Sequence, residues 1–271
     1  MKSISSEANP NFRHWLRIAG APRAARAAGQ TLAEGAHLAQ AALAAGVAVD
    51  AIVLRRGTSH AQIDALLAAF AADVPRWELG AALYDRIAPV EQGLGLMLVL
   101  PLAESALPRS ASVDMVYLDG VQDPGNVGAL IRTAAAAGVR HVLASEGTAG
   151  LWSPRTLRAG MGAHFRIGLH ERVSPAQLPG VLDGDWIVAV AHEAPALWQA
   201  QLSGPALGWI FGAEGSGPSA QALAVARRRV YIPTSTAVES LNVGAAAAIC
   251  LFERLRQRET RSAIREIPAK R

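Results

Sequence analysis

The sequence predicts an α/β protein whose second half forms a parallel sheet covered by helices. Short apolar runs rich in β-branched residues alternate with alanine-rich helical segments along most of the chain. Strands separated by helices are typical of a parallel sheet with helices on both faces. With 271 residues, 51% of them hydrophobic, the chain is long enough for two domains and for a substantial buried core.

The first domain is predicted to be a smaller α/β unit that ends near residue 100. Residues 1–11 show no clear pattern, and the basic segment Phe12–Arg26 is interrupted by Gly20 and Pro22. This segment is either a frayed, solvated helix or an arm that faces a polyanion such as RNA. Periodicity then predicts, in order, a helix at Thr31–Ala45, a strand at Val47–Leu54, a helix at Ala61–Ala72, a strand at Trp77–Leu79, a helix from Ala81 and a strand at Gly95–Leu100.

The alternation restarts after residues 101–112, a stretch with two prolines that is predicted to be an interdomain linker. The same periodicity rules predict nine further elements. They are strands at Asp114–Leu118, His141–Ala144, His164–Ile167, Trp186–Ala191, Leu207–Phe211 and Arg229–Ile232, and helices at Val127–Ala137, Pro154–Ala159 and Val243–Arg258.

Charge and composition narrow the class of protein. The formal net charge is +4, and the basic residues concentrate at the two ends of the chain, which fits a polyanionic partner. The longest apolar runs fall short of the roughly 18 residues that a membrane span needs. The first fifteen residues lack the hydrophobic core of a signal peptide. We therefore expect a cytoplasmic protein that does not enter a membrane.

Three stretches of the second domain carry residues that packing alone does not explain. In the first, DPGNVGALIRTA, Asn126 is predicted to cap a helix that contains Arg132. In the second, the glycine-rich loop Gly212–Gly217, which contains Glu214, follows a predicted strand. The third, 232–242, follows the next strand and ends in Ser-Leu-Asn before an alanine-rich helix. Two such strand ends indicate one pocket at the carboxyl ends of neighbouring parallel strands.

In this order and spacing, DPGNVGALIRTA, FGAEGSG and VYIPTSTAVESLNVGAAAAI closely resemble the three signature motifs of the SpoU, or TrmH-type, RNA 2′-O-ribose methyltransferases of the SPOUT class. The stretch SPRTLRAGMGAHFRI at 153–167 also resembles this family, and GQTLAEGAHLAQAAL at 29–43 is similar to the start of the ribosomal-protein-like substrate-binding domain of many members. The resemblance implies an RNA substrate-binding domain at 12–100, the linker at 101–112, and a SPOUT methyltransferase domain at 113–262.

The resemblance also implies S-adenosylmethionine as methyl donor, a trefoil knot in the C-terminal domain, a homodimer, and an RNA substrate, with ribosomal RNA favoured over transfer RNA. No metal is implied. Carried over residue by residue, the donor would be bound, mainly through backbone groups, by Gly212, Ile232 and Leu241. The polar active-site positions of the family match Asn126, Arg132, Glu214, Ser240 and Asn242. The chain departs from the family pattern at Gly160 and Gly244, away from the expected chemistry.

Arg132 is the expected catalytic residue, and its chemistry limits its role. The sulfonium methyl is already electrophilic, so the protein must align a ribose 2′-hydroxyl behind it and favour the alkoxide. An arginine side chain is not expected to lose its proton in a protein. We therefore expect Arg132 to orient the hydroxyl and its phosphate and to stabilise developing negative charge, while Glu214 holds Arg132 or accepts a proton through water.

Other classes of site are weaker matches. No G-x-G-x-x-G follows the first strand of either domain, so a dinucleotide-binding fold is not supported. Ser216 lies between glycines but not in G-x-S-x-G. The seven histidines lack the spacing of metal ligands, and the single cysteine, Cys250, is predicted to be a core residue. A non-catalytic RNA-binding protein with the same fold remains the alternative, although the polar positions that it would be expected to lose are all present.

Overall fold

The computed structural model describes residues 1–89, 93–102, 105–235 and 240–265. Parts of three sequence predictions lie outside these residues, namely 103–104 of the linker, 236–239 of the third motif and 266–271 of the basic C-terminus. The chain divides into two compact units. The first unit comprises Met1–Glu104 and Gly150–Arg166, and the second comprises Ser105–Ala149 and Ile167–Arg271.

The described residues form strands and helices that alternate along the chain. The strands are β1 (Lys2–Ile4), β2 (Gln30–Glu34), β3 (Ala51–Arg55), β4 (Arg76–Leu79), β5 (Leu96–Pro101), β6 (Met115–Asp119), β7 (His141–Ala144), β8 (Gly168–His170), β9 (Asp185–Val190), β10 (Leu207–Gly212) and β11 (Arg228–Tyr231). The helices are α1 (Pro10–Gly20), α2 (Pro22–Ala28), α3 (Ala36–Ala44), α4 (Ala61–Ala69), α5 (Ala81–Ile87), α6 (Pro124–Ala136), α7 (Pro154–Gly160), α8 (Leu178–Val181), α9 (Ala220–Val225) and α10 (Val243–Arg265). Short 3₁₀ turns occur at Ala163–Phe165, Pro175–Gln177 and Leu197–Gln199.

The first unit is built on a five-stranded mixed sheet in the order β1-β4-β3-β5-β2. Alternate residues of β3 point to opposite faces, as the period of a strand requires. Val53 packs with Phe12 and Trp15 of α1 in one core cluster, and Ile52 belongs to a second cluster that contains Leu38 of α3. The sheet is therefore covered on both faces.

The N-terminal segments differ from their predicted structure. Residues 2–4, for which the sequence shows no pattern, form β1 and pair in parallel with β4. Phe12, Trp15 and Ile18 of α1 are buried, so the segment is not a frayed helix. A single helix at Thr31–Ala45 is wrong, because its first residues form β2. These residues are almost completely buried and pair antiparallel with β5, and such tertiary burial overrides the weak helical preference of Leu, Ala and Glu.

Residues 150–166 belong to the first unit by their contacts, whereas the predicted domain boundaries place them in the second domain. Leu157 of α7 is fully buried in the cluster that contains Ile52. The Thr31 hydroxyl donates a hydrogen bond of 2.6 Å to the carbonyl of Trp152. A strand at His164–Ile167 is also wrong, since residues 163–165 form a 3₁₀ turn and buried His164 bonds through Nε2 to the Leu151 carbonyl at 2.8 Å.

The second unit contains a six-stranded sheet in the order β11-β9-β10-β6-β7-β8. Every pairing in it is parallel, which confirms the parallel sheet predicted for the second half of the chain. The central strands β6 and β10 are buried along their whole length, as expected when helices cover both faces. In the register, Gly212 at the end of β10 lies opposite Asp119 at the end of β6.

Helix α10 packs on this sheet and on α6. Its inner face contains Val243, Ala247, Cys250 and Leu251, all buried, which confirms Cys250 as a core residue. This burial raises the pKa of the Cys250 thiol to about 12. Arg254, which is 2% exposed, forms two hydrogen bonds of 2.9 and 3.1 Å to the carboxylate of Asp114. The described part of the chain contains no helix long and apolar enough for a bilayer crossing.

Candidate functional site

A cavity of about 810 Å³ lies in the second unit at the carboxyl ends of β9, β10 and β11. Its walls contain five of the eight predicted site residues, namely Gly212, Glu214, Ile232, Ser240 and Leu241. The two strand ends that the sequence singles out are not neighbours, because β9 lies between β10 and β11. The predicted pocket is present, but it spans three parallel strands instead of two.

The glycine-rich loop after β10 is closely packed against itself. The Gly217 N–H donates a hydrogen bond of 2.9 Å to the Ala213 carbonyl, and the Ser219 N–H donates one of 2.7 Å to the buried carboxylate of Asp119. A Cβ on Gly212 would lie 2.1 Å from the Pro218 nitrogen. Only glycine therefore allows the chain to turn back on itself here and to present backbone groups to the cavity.

A chain of hydrogen bonds connects Glu214 to the start of α10. The Gly244 N–H donates to Asn242 Oδ1 at 2.9 Å, and Asn242 Nδ2 donates to Asn126 Oδ1 at 3.0 Å. Asn126 Nδ2 then donates to Glu214 Oε1 at 2.8 Å. Because each amide both accepts and donates, the network fixes the orientation of both amide groups and holds the carboxylate in one position. Asn126 and Asn242 do not line the cavity themselves, but their hydrogen bonds position Glu214, which does.

Asn126 does not cap α6 as the sequence predicts. The helix begins two residues earlier, at Pro124, and Asp123 is the capping residue, since its Oδ1 accepts a hydrogen bond of 2.7 Å from the Asn126 N–H. Proline at the first helical position is favourable because its missing N–H needs no partner there. The earlier start leaves the Asn126 side chain free to bond to Asn242 and Glu214.

Arg132 is exposed on α6 and does not line the cavity of its own chain. It lies six residues beyond Asn126, about 9 Å along the helix axis and on a different face. The structure gives it no hydrogen bond or ion pair to any described residue. Among the described residues that line the cavity, the ionisable ones are Glu214 and His192, so none of the described arginine or lysine side chains contributes to its wall.

The three sequence motifs do not include the residues that β9 contributes to the cavity. Residues 189–192, which follow or end β9, line the cavity together with Thr234, Leu223 and Val243. The signal that identifies them is topological, because the carboxyl ends of all parallel strands meet at one edge of the sheet. The sequence predicts a strand of the same sheet at Trp186–Ala191, but the position of that strand between β10 and β11 does not follow from its sequence.

The walls of the cavity favour a ligand with both apolar and polar parts. Val190, Phe211, Ile232 and Leu241 supply apolar surface, and the glycine-rich loop supplies backbone donors and acceptors. The fixed carboxylate of Glu214 favours a ligand that carries positive charge near it. A volume of about 810 Å³ lies within the range of about 300–1,000 Å³ that is typical of sites for small molecules and cofactors.

Comparison with known proteins gives consistent matches over nearly the whole chain. Among curated proteins, 23S rRNA (guanosine(2553)-2′-O)-methyltransferase RlmP of Bacillus subtilis is 28% identical over 253 residues, which are 93% of this chain and 98% of that protein. Among solved structures, an RNA 2′-O ribose methyltransferase is 27% identical with a TM-score of 0.79, and the match covers 95% of this chain and 99% of that one.

A second solved structure shares the fold at lower sequence identity. The SpoU methyltransferase AviRb of Streptomyces viridochromogenes, solved in complex with the cofactor AdoMet, is 22% identical with a TM-score of 0.79. The match covers 93% of this chain and 100% of that one. The family model of the SpoU rRNA methylases matches residues 115–252, about half of the chain and most of the second unit. The chain therefore belongs to the SpoU rRNA methylase family.

Proposed function

We propose that this protein transfers the methyl group of S-adenosylmethionine to a ribose 2′-hydroxyl of ribosomal RNA. The observation that carries the proposal is the cavity at the ends of β9, β10 and β11, which joins the glycine-rich loop of the second motif to residues of the third. Its polar border is fixed by the hydrogen bonds from Asn242 through Asn126 to Glu214. These residues match the family's motifs, and RlmP acts on 23S ribosomal RNA by its name.

The residues of the cavity fit S-adenosylmethionine as the methyl donor. Backbone groups of Gly212, Ile232 and Leu241 would bind the nucleoside, and the apolar side chains of the same walls would enclose it. The Glu214 carboxylate, which the Asn126 amide holds in place, favours the positive sulfonium. AviRb, which has the same fold, was solved with AdoMet bound.

Residues of the chain would bring the ribose hydroxyl into line with the methyl group. Ser240 borders the cavity and would hydrogen-bond to the sugar, while Asn126 and Asn242 keep Glu214 in position. Glu214 would take the hydroxyl proton through a water molecule. Arg132 would bind the adjacent phosphate and stabilise negative charge on the 2′-oxygen. Alignment of this kind contributes roughly 7 to 11 kcal/mol to rate enhancement.

We place Arg132 at the cavity of a second protomer, because it does not line the cavity of its own chain. Ala245, Ile249 and Phe252 recur along α10 at positions i, i+4 and i+7, so they share one helix face. This face is exposed or half-buried, and Phe252 is 46% exposed. We propose that it forms the contact of a homodimer with α6, whose exposed residues include Arg132. The opposite face of α10 is core.

The remaining features of the proposal follow from the family resemblance. They are a trefoil knot around the donor site in a SPOUT domain at 113–262, a linker at 101–112, and a ribosomal-protein-like RNA substrate-binding domain at 12–100. The mixed sheet of the first unit, covered by helices on both faces, supports a separate domain before the catalytic one, and Leu157 of α7 also contributes to the core of this separate domain. A cytoplasmic location is proposed because ribosomal RNA is the substrate.

The experiment that tests the function combines donor binding with mapping of the product. Purified protein is expected to bind S-adenosylmethionine in calorimetry and to transfer labelled methyl groups to ribosomal RNA from cells that lack the protein. Ribose-methylation mapping of RNA from cells with and without the protein should then differ at one or a few ribosomal nucleotides. Methyl transfer to transfer RNA alone would favour that substrate, and RNA binding without any donor binding would favour a non-catalytic protein.

Replacing Gly212 by alanine is expected to weaken donor binding by at least about tenfold. The new Cβ would lie 2.1 Å from the Pro218 nitrogen and 2.3 Å from the Gly217 carbonyl carbon, so the loop must move away from the cavity. Gly215→Ala is the matched control in the same loop, because its Cβ would meet nothing within 4 Å. Calorimetric titration with S-adenosylmethionine measures both variants, and equal affinities would argue against the loop as the donor site.

A further inference from the structure

Helix α1 of the first unit carries two arginines on the side that faces away from the core. Phe12, Trp15 and Ile18 are 0%, 4% and 1% exposed, and they fix the inner face of the helix. Arg13 and Arg17 are four residues apart and both are exposed, so they project together from the solvent-facing side. The basic segment is therefore a firmly packed helix that holds its charged groups in solvent.

The helix that follows extends this positive charge. Helix α2 begins two residues after the end of α1 and packs against it. Its first turn contains Arg23, which is exposed, and Arg26 one turn further is exposed as well. Residues 8–33 contain no aspartate or glutamate, so this stretch supplies no carboxylate that could neutralise the arginines. We refer to the exposed side chains of Arg13, Arg17 and Arg23 as the arginine patch.

Hydrogen bonds orient one guanidinium group of the arginine patch. Arg17 Nη2 donates to His14 Nδ1 at 3.2 Å. Because arginine can only donate, His14 Nδ1 accepts, and its Nε2 donates to Gln30 Oε1 at 2.7 Å. The Gln30 amide donates in turn to the carboxylate of Asp50. The other two arginines of the patch form no hydrogen bond or ion pair with any described residue, so most donors of the patch are open to a ligand.

We propose that the arginine patch binds the phosphate backbone of a double-stranded segment of the substrate RNA. The inference rests on the proposed function, since it takes RNA as the substrate, and it adds the surface and the kind of RNA structure that this surface contacts. An arginine side chain binds phosphate through two parallel hydrogen bonds. Basic residues that cluster along one helix face are typical of a nucleic-acid contact.

The composition of the same surface favours a duplex over a single strand. Proteins that bind single strands commonly stack the bases on aromatic side chains. Phe12 and Trp15 of α1 are both buried, and the sequence of α2 contains no aromatic residue. Guanidinium groups without a stacking surface match a duplex, which is recognised mostly through its shape, its phosphates and its 2′-hydroxyl groups.

Binding of the full-length protein to a fluorescent RNA hairpin and to a single-stranded RNA of the same length tests the proposal. Fluorescence anisotropy gives the affinity at salt concentrations from about 50 to about 200 mM. The wild type is expected to bind the hairpin more tightly. The triple variant Arg13→Gln, Arg17→Gln and Arg23→Gln should bind it at least about tenfold more weakly at about 0.1 M salt. The slope of log affinity against log salt should decrease in magnitude by about three, because three phosphate contacts are lost.

Two further triple variants separate the arginine patch from net charge. Arg56→Gln, Arg172→Gln and Arg256→Gln remove the same number of exposed arginines, but each of these pairs with a carboxylate. Their combined loss should change the slope by less than about one. Replacing the three patch arginines by lysine keeps the charge and should keep most of the slope, while loss of the planar fork weakens binding.

Three results overturn the inference: tighter binding of the wild type to the single strand, an unchanged slope in the glutamine variant of the patch, or an equal loss of slope in the charge-matched variant. The substituted side chains are exposed, so the urea unfolding midpoints should stay close to that of the wild type. Methyl transfer to ribosomal RNA is measured on the same preparations. A wild type that binds the hairpin through the patch but transfers no methyl group would count against the proposed function and leave the RNA contact standing.

Discussion

Replacing Arg132 by alanine is expected to lower methyl transfer by about 1,000-fold while S-adenosylmethionine binding stays within about twofold of the wild type. The side chain is exposed and does not line the cavity of its own chain that we propose as the donor site, so donor binding should not depend on it. Its proposed role is to stabilise charge on the attacking oxygen, which develops only in the transition state. Single-turnover methylation of ribosomal RNA and calorimetric donor titration measure the two effects separately.

Arg132→Lys is the informative companion variant. Lysine keeps the positive charge but lacks the planar fork that binds two oxygens at once. We expect it to recover part of the activity if charge stabilisation dominates, and little if Arg132 must hold both the hydroxyl and the phosphate. Activity of Arg132→Ala close to that of the wild type would refute the assignment of this residue to catalysis.

A mixed-dimer experiment tests whether Arg132 acts on the partner protomer. At a donor concentration below the wild-type dissociation constant, Arg132→Ala and Gly212→Ala are each expected to retain at most about a tenth of the wild-type activity, but a mixed dimer would have one site with both defects and one site with neither. In an equal mixture, half of the dimers are mixed, and each mixed dimer has one intact site out of two. About a quarter of the wild-type activity should therefore return. If Arg132 acted within its own chain, mixing would restore nothing, because each protomer would still carry one defect.

The fold was predictable where local sequence and tertiary structure agree. The strand His141–Ala144 has its predicted bounds, and the parallel sheet of the second unit follows from the alternation of elements. The prediction fails for Gln30–Glu34, where pairing with β5 imposes a strand on residues with helical preference. It also fails at residues 163–165, where burial of His164 and its bond to Leu151 favour a 3₁₀ turn.

In the site, too, the residues within a motif could be predicted from the sequence, whereas those brought together by the tertiary structure could not. The sequence motifs identify five residues of the cavity wall, from Gly212 to Leu241. The contribution of residues 189–192 depends on strand order, which is set by packing of the complete sheet and is not encoded in any one strand. The link between Asn126 and Asn242, 116 residues apart, is non-local in the same way.

Loss of the Arg254 side chain is expected to destabilise the second unit by about 3 to 5 kcal/mol. Arg254 and Asp114 are 2% and 7% exposed and are joined by two hydrogen bonds. Arg254 also donates to the carbonyls of Leu202 and Gly204. In Arg254→Ala, Asp114 keeps Arg258 at 3.1 Å and the Leu207 N–H at 2.9 Å, but it loses its buried bidentate partner. Urea denaturation, with the unfolding of the two units resolved by hydrogen exchange, measures the effect.

Arg256→Ala is the matched control on the same helix. Arg256 is exposed and pairs with Glu253 at 2.7 Å, and Gln257 also donates to that carboxylate at 2.8 Å. Loss of an exposed arginine from a pair three residues apart costs less than about 1 kcal/mol. The double variant Asp114→Leu with Arg254→Met replaces both charges by apolar groups and is expected to be more stable than Arg254→Ala, because the main cost of the single change is a buried carboxylate that has lost its bidentate partner. If all three variants were equally stable, the buried pair would contribute little to holding α10. The position of Asn242 at the start of α10 would then have to depend on the packing of that helix against α6.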